Sequence, residues 1–157
     1  MLKFLPAIAL ILSLFAPVQA ADNAKFPNQI LGGKAAATSG SGNYYSGAGT
    51  YAGRTSRNGR STTIYNGQGS LDGRIDRSKN NATTYNSNGG YSGRATNSGS
   101  GTSFYDSKGS YSGRSTTSGN TTQFYGRSGA YSGRATTSGG TTNFYDSSGR
   151  MVGRKGK

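Results

Sequence analysis

Several residue types with distinctive chemistry are missing from this sequence or scarce in it. It has no cysteine, histidine, tryptophan or glutamate, and only five aspartates and three prolines occur in its 157 residues. Without cysteine, no disulfide can stabilise the fold. Without cysteine and histidine, zinc sites and the usual nucleophile–base pairs are excluded, and the aspartates are not clustered as a calcium loop requires. We predict no catalytic residue, no metal, no cofactor and no enzyme activity.

Large apolar side chains are also scarce beyond residue 20. A composition this poor in them, with a high net charge, is typical of disordered chains. The leucine, isoleucine, valine and phenylalanine residues in this part are Phe26, Ile30, Leu31, Ile64, Leu71, Ile75, Phe104, Phe124, Phe144 and Val152. All eleven tyrosines lie here too, at regular positions, and they add the apolar surface that a core needs.

The first twenty residues are typical of a secretory signal peptide. Lys3 gives a positive start, an apolar stretch is centred on residues 10–15, and Val18 and Ala20 place small residues before the cleavage point. The stretch is shorter than the ~20 residues that span a bilayer, so we expect cleavage and no membrane span afterwards. The net charge of +13 includes Lys3, so the mature charge is +12. We predict an exported protein that is periplasmic, at the cell surface or secreted.

A repeat of 20 residues begins at residue 31 and runs without a gap. Glycine followed by a basic residue recurs in each unit, a tyrosine follows eleven positions after the basic residue, and a glycine four positions after the tyrosine. The basic residues of the six full units are Lys34, Arg54, Arg74, Arg94, Arg114 and Arg134, and the tyrosines are Tyr45, Tyr65, Tyr85, Tyr105, Tyr125 and Tyr145. Such phasing indicates tandem structural units. We predict a signal peptide (1–20), a flexible lead-in (21–30), six repeats plus a partial seventh (31–154) and a basic tail (155–157).

Each unit has the pattern of two β-strands and two turns. In the last full unit, segments 131–137 and 141–145 are rich in β-branched and aromatic residues, which favour strands. Gly139 and the glycine after it form a two-residue hairpin signal, for which we predict a type II′ turn. Asp146 and Gly149 predict a type I turn, in which the aspartate accepts backbone hydrogen bonds and the glycine takes a left-handed conformation.

A hairpin with this loop sets which side chains share a face. It pairs Ala135 with Phe144, and Arg134 with Tyr145. Because side chains alternate along a strand, Ala135 and Phe144 share one face with Tyr131, while Arg134 and Tyr145 lie on the other. Each repeat therefore separates an apolar face from a face of arginine and tyrosine.

The second turn sets how neighbouring units pair. The same alternation, continued through it, places Phe144 beside Met151, so that both turns preserve the two faces. We predict an all-β fold of tandem antiparallel β-hairpin repeats that form an elongated twisted sheet or a β-solenoid. An open sheet of twelve strands is unusual, so curling or self-association is expected, and closure into a barrel stays open as an alternative.

The residues Phe-Tyr-Asp-Ser-Ser-Gly-Arg at positions 144–150 resemble the core of the YD repeat of bacterial Rhs-type and related surface proteins. With Gly133 upstream and Gly153 downstream, the spacing is also similar to that of the 20-residue choline-binding and cell-wall-binding hairpin repeats, without their tryptophan. Both resemblances cover residues 31–154. They imply β-hairpins that wind into an elongated sheet or solenoid on an extracytoplasmic surface.

The basic residues and tyrosines of the repeat form the candidate binding surface. All twelve lie on the polar face, and equivalent residues of successive repeats recur about every 10 Å across the strands. An exposed arginine–tyrosine stack contributes about 0.5–1 kcal/mol, so the row could serve stability and solubility alone. As a functional surface it suits polyanions. We therefore predict binding to anionic polysaccharide, lipopolysaccharide or peptidoglycan of the cell envelope.

Four alternatives stay open. The first is a structural or adhesive protein that self-associates through its aromatic face. The second is binding of single-stranded nucleic acid, which also suits interleaved basic and aromatic residues but is met less often by an exported protein. The third is ice or surface binding through the threonine pairs at 116–117 and 136–137. The fourth is a mature chain that is mostly disordered.

Overall fold

The computed structural model describes residues 41–99 and 101–156, which form twelve antiparallel strands. The strands are β1 (Gly42–Ser46), β2 (Tyr51–Asn58), β3 (Ser61–Asn66), β4 (Leu71–Arg77), β5 (Asn81–Asn86), β6 (Tyr91–Ser98), β7 (Gly101–Asp106), β8 (Tyr111–Ser118), β9 (Thr121–Gly126), β10 (Tyr131–Ser138), β11 (Thr141–Asp146) and β12 (Met151–Gly156). The predicted signal peptide, the lead-in and Lys34 lie outside the described residues.

The sheet is closed. Each strand pairs with its neighbours in sequence, and β1 also pairs with β12, which places Tyr45 opposite Arg154 and Tyr44 opposite Lys155. The all-β hairpin fold is thus confirmed, but the elongated sheet or solenoid is wrong, because the structure is a barrel without free edges. β1 is the second strand of one repeat and β12 is the first strand of another. Together they form a strand pair equivalent to the hairpin of a complete repeat.

The predicted basic tail is also wrong in part. β12 continues through Gly156, and Lys155 is a strand residue with 6% of its surface exposed. It occupies the repeat position that Ala135 holds in β10. Pairing with β1 orders this segment. The local sequence at 155–157 does not indicate that this pairing exists.

The hairpins within the repeats have the predicted register. Ala135 lies opposite Phe144 and Arg134 opposite Tyr145, with Ser138 and Thr141 flanking the two-residue turn. β2 and β3, β6 and β7, and β8 and β9 pair in the same way. Phe144 is buried and Arg134 lies on the outer face over a tyrosine ring, which confirms the separation of faces for these residues.

The turn between β10 and β11 differs from the predicted type. Its two central residues, Gly139 and Gly140, have φ angles of +56° and +83°. Two consecutive positive angles belong to a type I′ turn, whereas type II′ has a positive angle at the first residue alone. Because a Gly-Gly sequence is compatible with both types, the sequence does not decide between them.

The four-residue turns are built as predicted. Asp146 Oδ1 accepts hydrogen bonds from the backbone nitrogens of Ser148 (3.0 Å) and Arg150 (2.9 Å). Gly149 has a φ of +86° and donates its N–H to the Asp146 carbonyl oxygen at 3.1 Å. Asn66, Asn86 and Asp106 cap their turns in the same way.

A β-bulge follows each four-residue turn and overturns the register predicted between repeats. Phe144 pairs with Gly153, and Tyr145 with Met151, so Phe144 does not lie beside Met151. The same shift occurs at all six equivalent strand pairs. It turns Tyr131 outward, where 38% of its surface is exposed, instead of onto the Phe144 face. Bulges bend strands and increase their twist, which promotes the closure that regular alternation did not predict.

A repeated glycine lies beside each bulge, and at four of the six positions its φ is positive. Gly133 has a φ of +145°, and a Cβ there would collide with the carbonyl oxygen of Tyr145. Gly53, Gly93 and Gly113 have φ angles of +142° to +151°. A side chain at Gly53, Gly93 or Gly133 would oppose this backbone by both conformation and space.

The barrel interior is filled by one large and one small residue from most hairpins. Ala135 faces Phe144 and Ser115 faces Phe124, whereas Ile75 faces Thr84, so the large and small members are exchanged in that hairpin. The residue before each landmark tyrosine is buried in every repeat: Tyr44, Ile64, Thr84, Phe104, Phe124 and Phe144. Paired volumes of this kind fill a narrow barrel.

Candidate functional site: an arginine–tyrosine belt

Six arginine–tyrosine stacks run around the outside of the barrel. In each, the guanidinium carbon lies over a tyrosine ring of the neighbouring strand, 4.0–5.1 Å from the ring centre. The pairs are Arg54–Tyr65, Arg74–Tyr85, Arg94–Tyr105, Arg114–Tyr125, Arg134–Tyr145 and Arg154–Tyr45. We call these twelve residues the belt. The stacks follow from the hairpin register, which places each arginine opposite its tyrosine.

The sixth stack corrects one member of the predicted site. Tyr45 was expected to lie opposite Lys34 of its own repeat, but β12 occupies that side of β1 and Arg154 covers the ring. Lys34 was a predicted site residue, but it lies outside the described residues and is not counted in the belt. Arg154 was a repeat landmark in the sequence, and only closure of the barrel turns it into a partner of Tyr45.

A second row of side chains, missed in the sequence, widens the belt. Its members lie between the four-residue turns and the bulges, lie across from the belt tyrosines and have 37–49% of their surface exposed: Tyr51, Leu71, Tyr91, Tyr111, Tyr131 and Met151. Tyr125 and Tyr131 meet edge to face with ring centres 6.1 Å apart, as do Tyr105 and Tyr111. The outer row was missed because uninterrupted alternation placed these residues inside.

The belt and the outer row together make tracks across three strands. In one track, Arg114 on β8 covers Tyr125 on β9, which meets Tyr131 on β10. The arginine is exposed and the belt tyrosine half-buried, so one face of the guanidinium rests on the ring while its N–H groups stay accessible. A stacked arginine is held in place before any ligand arrives, and it keeps its charge at every ordinary pH.

Acidic groups compensate little of the belt charge. Arg74 Nε lies 3.0 Å from Asp76 Oδ2, an exposed ion pair. Asp106 and Asp146 pair instead with turn arginines, at 3.5 Å to Arg127 and 3.1 Å to Arg150. Hydrogen bonds from Ser148 and Arg150 at its turn lower the pKa of Asp146, so this carboxylate is a turn cap in its charged form. The belt therefore presents a positive outer surface.

Side chains that commonly bind metals are few, since the sequence has no histidine, cysteine or glutamate. Within 41–99 and 101–156, no three histidine, cysteine, aspartate or glutamate side chains are grouped to bind a metal ion. In that same part of the chain, no helix is long and apolar enough to cross a membrane. The belt can bind anionic groups by charge and hydrogen bonds and flat groups by stacking.

Comparison with known proteins adds no identity. The sequence matches no protein-family model and no curated protein. The similarity to YD and wall-binding repeats therefore stays an interpretation of residues 144–150 and the glycine spacing. What the molecule does has to be inferred from the geometry and charge of the belt.

Proposed function

We propose that this chain is a non-enzymatic, exported repeat protein that binds anionic polymers of the cell envelope or extracellular space through the belt. The observation that carries the proposal is the ring of six stacked arginines, each repeated with the same geometry. Anionic polysaccharide, lipopolysaccharide and peptidoglycan are the polymers that an exported protein meets. Their charged groups would be bound by the guanidinium N–H groups.

The regular spacing of the belt favours a polymer over a small ligand. Equivalent arginines lie two strands apart, about 10 Å, so one flexible polymer can contact several in succession. Each contact is weak, but contacts on one chain act together and raise the overall affinity. The ligand class that uses the whole belt is therefore a chain with repeated negative charges.

The aromatic part of each track suits sugar-containing polymers. Tyrosine supplies a large, rigid and partly polar contact surface at a low cost in side-chain entropy. Tyr51, Tyr91, Tyr111 and Tyr131 of the outer row expose such surface directly beside the belt. Charge alone would require no second row of apolar and aromatic side chains, so the outer row favours a ligand that has flat or apolar faces as well as anionic groups.

A matched pair of variants tests the proposal. The belt variant is R94Q/R114Q/R134Q, and the control is R60Q/K79Q/K108Q, which removes the same charge from exposed residues outside the belt. We expect the belt variant to lose about tenfold or more in affinity for lipopolysaccharide, acidic polysaccharide or peptidoglycan, and the control about twofold or less. Equal losses in both variants would show that net charge alone attracts the polymer and would overturn the belt as a binding surface.

Self-association is a second candidate, favoured by the exposed apolar outer row. Six such side chains surround the barrel, and contiguous apolar surface often marks an interface. Association through this row would persist at high salt, whereas polyanion binding weakens as salt screens the belt. Sedimentation of the mature protein at 0.05 and 1 M salt separates the two. Single-stranded DNA serves as a further ligand in the binding assay, because stacked aromatic and basic residues also suit it.

Surface binding through threonine pairs has weaker support. Thr137 points inward, with its hydroxyl oxygen 3.0 Å from that of Thr142, while Thr136 lies on the opposite face of β10. Thr117 and Thr122 repeat this arrangement. Neighbouring threonines therefore do not combine into one flat outer surface.

A further inference from the structure

Each belt arginine has a second neighbour besides its tyrosine. The strand on its other side places a polar residue directly opposite it, and this residue points outward because the next residue of its strand is buried. The pairs are Asn43–Arg54, Thr63–Arg74, Thr83–Arg94, Ser103–Arg114, Gln123–Arg134 and Asn143–Arg154. Opposite side chains on one face have Cβ atoms about 4.5–5.5 Å apart, so both can contact one ligand group.

The polar neighbours are of two chemical kinds, and each kind occupies one continuous half of the belt. Asn43, Gln123 and Asn143 are amides, whereas the other three neighbours carry hydroxyl groups. Because β12 pairs with β1, the three amide pairs lie on consecutive strands, from β9 to β12 and on through β1 and β2. The three hydroxyl pairs lie on β3 to β8. We call these halves the amide arc and the hydroxyl arc.

The two arcs also differ in charge. On the hydroxyl arc, Arg74 Nε lies 3.0 Å from Asp76 Oδ2, which compensates part of the charge of this arginine. The equivalent outward positions on the amide arc are the neutral residues Ser56 and Thr136. Asp146 lies at the turn end of the amide arc, where it pairs with Arg150 at 3.1 Å. The arginines of the amide arc therefore keep more of their attraction for anions.

Gln123 shows how an amide is positioned in the belt. Its Oε1 accepts a hydrogen bond of 2.8 Å from the Tyr125 hydroxyl, while its side chain stays exposed beside Arg134. This bond uses one acceptor position of the amide. The two N–H donors and the second lone pair of the oxygen can then serve a ligand. The amide is thus held next to the guanidinium with donors and an acceptor on offer.

An amide adds to the belt what a guanidinium lacks. A guanidinium only donates hydrogen bonds, whereas a sugar hydroxyl both donates and accepts them. An amide presents donors and an acceptor in one plane, so it can bind two neighbouring hydroxyls at once, while a serine or threonine hydroxyl has a single donor. A site with a guanidinium and an amide side by side therefore matches a sugar that carries both a carboxylate and hydroxyls.

Aromatic rings adjoin the amide pairs. Tyr45 and Tyr51 meet edge to face with ring centres 6.0 Å apart, and Tyr125 and Tyr131 do so at 6.1 Å. Both ring pairs lie on strands of the amide arc. Such rings supply rigid surface with an apolar face, which suits the C–H side of a sugar ring.

We infer that the amide arc is the part of the belt that binds polysaccharide, and that Asn43, Gln123 and Asn143 make it specific for a polymer of carboxylated sugars. The inference rests on the proposed function and deepens it. The arginines bind the carboxylates, and the amides bind the hydroxyls beside them. A polymer that offers charge without hydroxyls, such as polyphosphate, is attracted by the arginines and gains nothing from the amides.

A pair of exchange variants tests the amides without changing the charge. N43T/Q123T/N143T gives the amide arc the hydroxyls of the other half, and T63N/T83N/S103N does the reverse. Binding of the mature protein to alginate, a polymer of uronic acids, is compared with binding to polyphosphate at the same ionic strength. We expect the first variant to lose about fivefold in affinity for alginate and the second to gain about twofold, with affinity for polyphosphate within about twofold of the parent in both.

The exchanged residues come from the chain's own repeats and lie on the outer face, so we expect both variants to fold. Circular dichroism checks this, and if one variant is unfolded the other decides. A second pair locates the polymer: R54Q/R134Q/R154Q and R74Q/R94Q/R114Q each remove three stacked arginines. We expect the first of these to lose at least about fivefold more affinity for alginate than the second. Equal losses would contradict the assignment to the amide arc.

The outcomes separate this inference from the proposed function. If the parent binds alginate and the exchange variants keep its ratio of alginate to polyphosphate affinity, the amides have no role and the inference is overturned, while the belt remains a polyanion surface. The same holds if the parent binds polyphosphate but not alginate. If the parent binds neither polymer, the proposed function fails and this inference fails with it.

Discussion

The outer surface of the barrel is built in the same way all around, but its interior differs between two groups of neighbouring strands. From β6 to β11, each hairpin places a phenylalanine against alanine or serine and closes its end with a neutral polar pair. From β12 through β5, the interior holds Tyr44, Thr84 and Lys155 instead, and Arg77 is half-buried. The stacks of the belt continue unchanged around both sides. We call β6–β11 the regular side and β12 through β5 the irregular side. The regular side shows the interior packing that the repeat uses, and the irregular side shows the positions at which that packing changes.

Loss of the strand pair that closes the barrel, β1 and β12, should have the largest effect on stability. Removing residues 151–157 takes away β12, exposes the edges of β1 and β11 and uncovers Tyr44. We expect loss of the cooperative transition or of several kcal/mol, comparable with the whole stability of a small domain. Circular dichroism with chemical denaturation would show it. The substitution K108Q, at an exposed turn residue, is the control and should leave the transition nearly unchanged.

Core substitutions compare the interiors next. Phe144→Ala removes a side chain with 1% exposure and should cost about 3–5 kcal/mol in the free energy of unfolding. On the irregular side the large residue is Ile75, fully buried opposite Thr84, so Ile75→Ala should cost about 2–5 kcal/mol. Thr84→Ala should cost only about 1 kcal/mol, from the hydrogen bond to the Gly93 carbonyl. A large loss for Thr84→Ala and a small one for Ile75→Ala would contradict the exchanged packing.

The pH dependence of the stability of Tyr44→Phe tests the burial of the Tyr44 hydroxyl on the irregular side. Burial raises the pKa of Tyr44 to about 12, so the folded protein keeps this proton at pH values where the unfolded chain has lost it. The contribution of Tyr44 to stability is therefore present below pH ~10 and falls as pH rises towards 12, by up to about 2–3 kcal/mol. Tyr44→Phe should be at least as stable as the parent at pH 8, and its advantage should grow between pH 10 and 12. A constant difference would mean that the hydroxyl is solvated.

The smallest effect belongs to the belt. Arg114→Gln removes an exposed stack on Tyr125 and should cost about 0.5–1 kcal/mol. The equivalent change on the irregular side, Arg54→Gln, should cost the same, because both stacks have the same register. Chemical denaturation of the two variants side by side checks this. A loss several times larger in one of them would show that the belt is not equivalent around the barrel.

The local features of the fold, the hairpin register and the turn caps, could be predicted from the sequence. The pairing of Arg134 with Tyr145 follows from a two-residue loop and strand alternation, and the Asp146 turn follows from a side-chain acceptor and a left-handed glycine. The bulge beside Gly133 was not readable in the same way, because a glycine within a strand pattern fits a regular strand as well. The extra residue that each bulge inserts reverses the face on which Tyr131 lies and changes the curvature of the whole sheet.

Contacts between distant parts of the chain were the other limit. Arg154 and Lys155 gain their roles from β1, more than a hundred residues away in sequence, and the repeat pattern assigned Tyr45 to a nearer lysine. The burial of Lys155 was not predicted for the same reason. It resembles an ordinary basic residue in the sequence, and pairing with β1 places it opposite Tyr44.

Closure of the barrel by β1 and β12 is the claim on which the continuous belt depends. Because the chain has no cysteine, one disulfide can test it: Asn43 and Gly156 lie opposite each other across these strands, within the distance that a disulfide spans. We predict that N43C/G156C oxidises to an intramolecular disulfide in the monomer, and that N43C/Q123C, whose sites lie on unpaired strands, does not. Disulfides that form only between molecules of N43C/G156C, or not at all, would contradict a closed barrel.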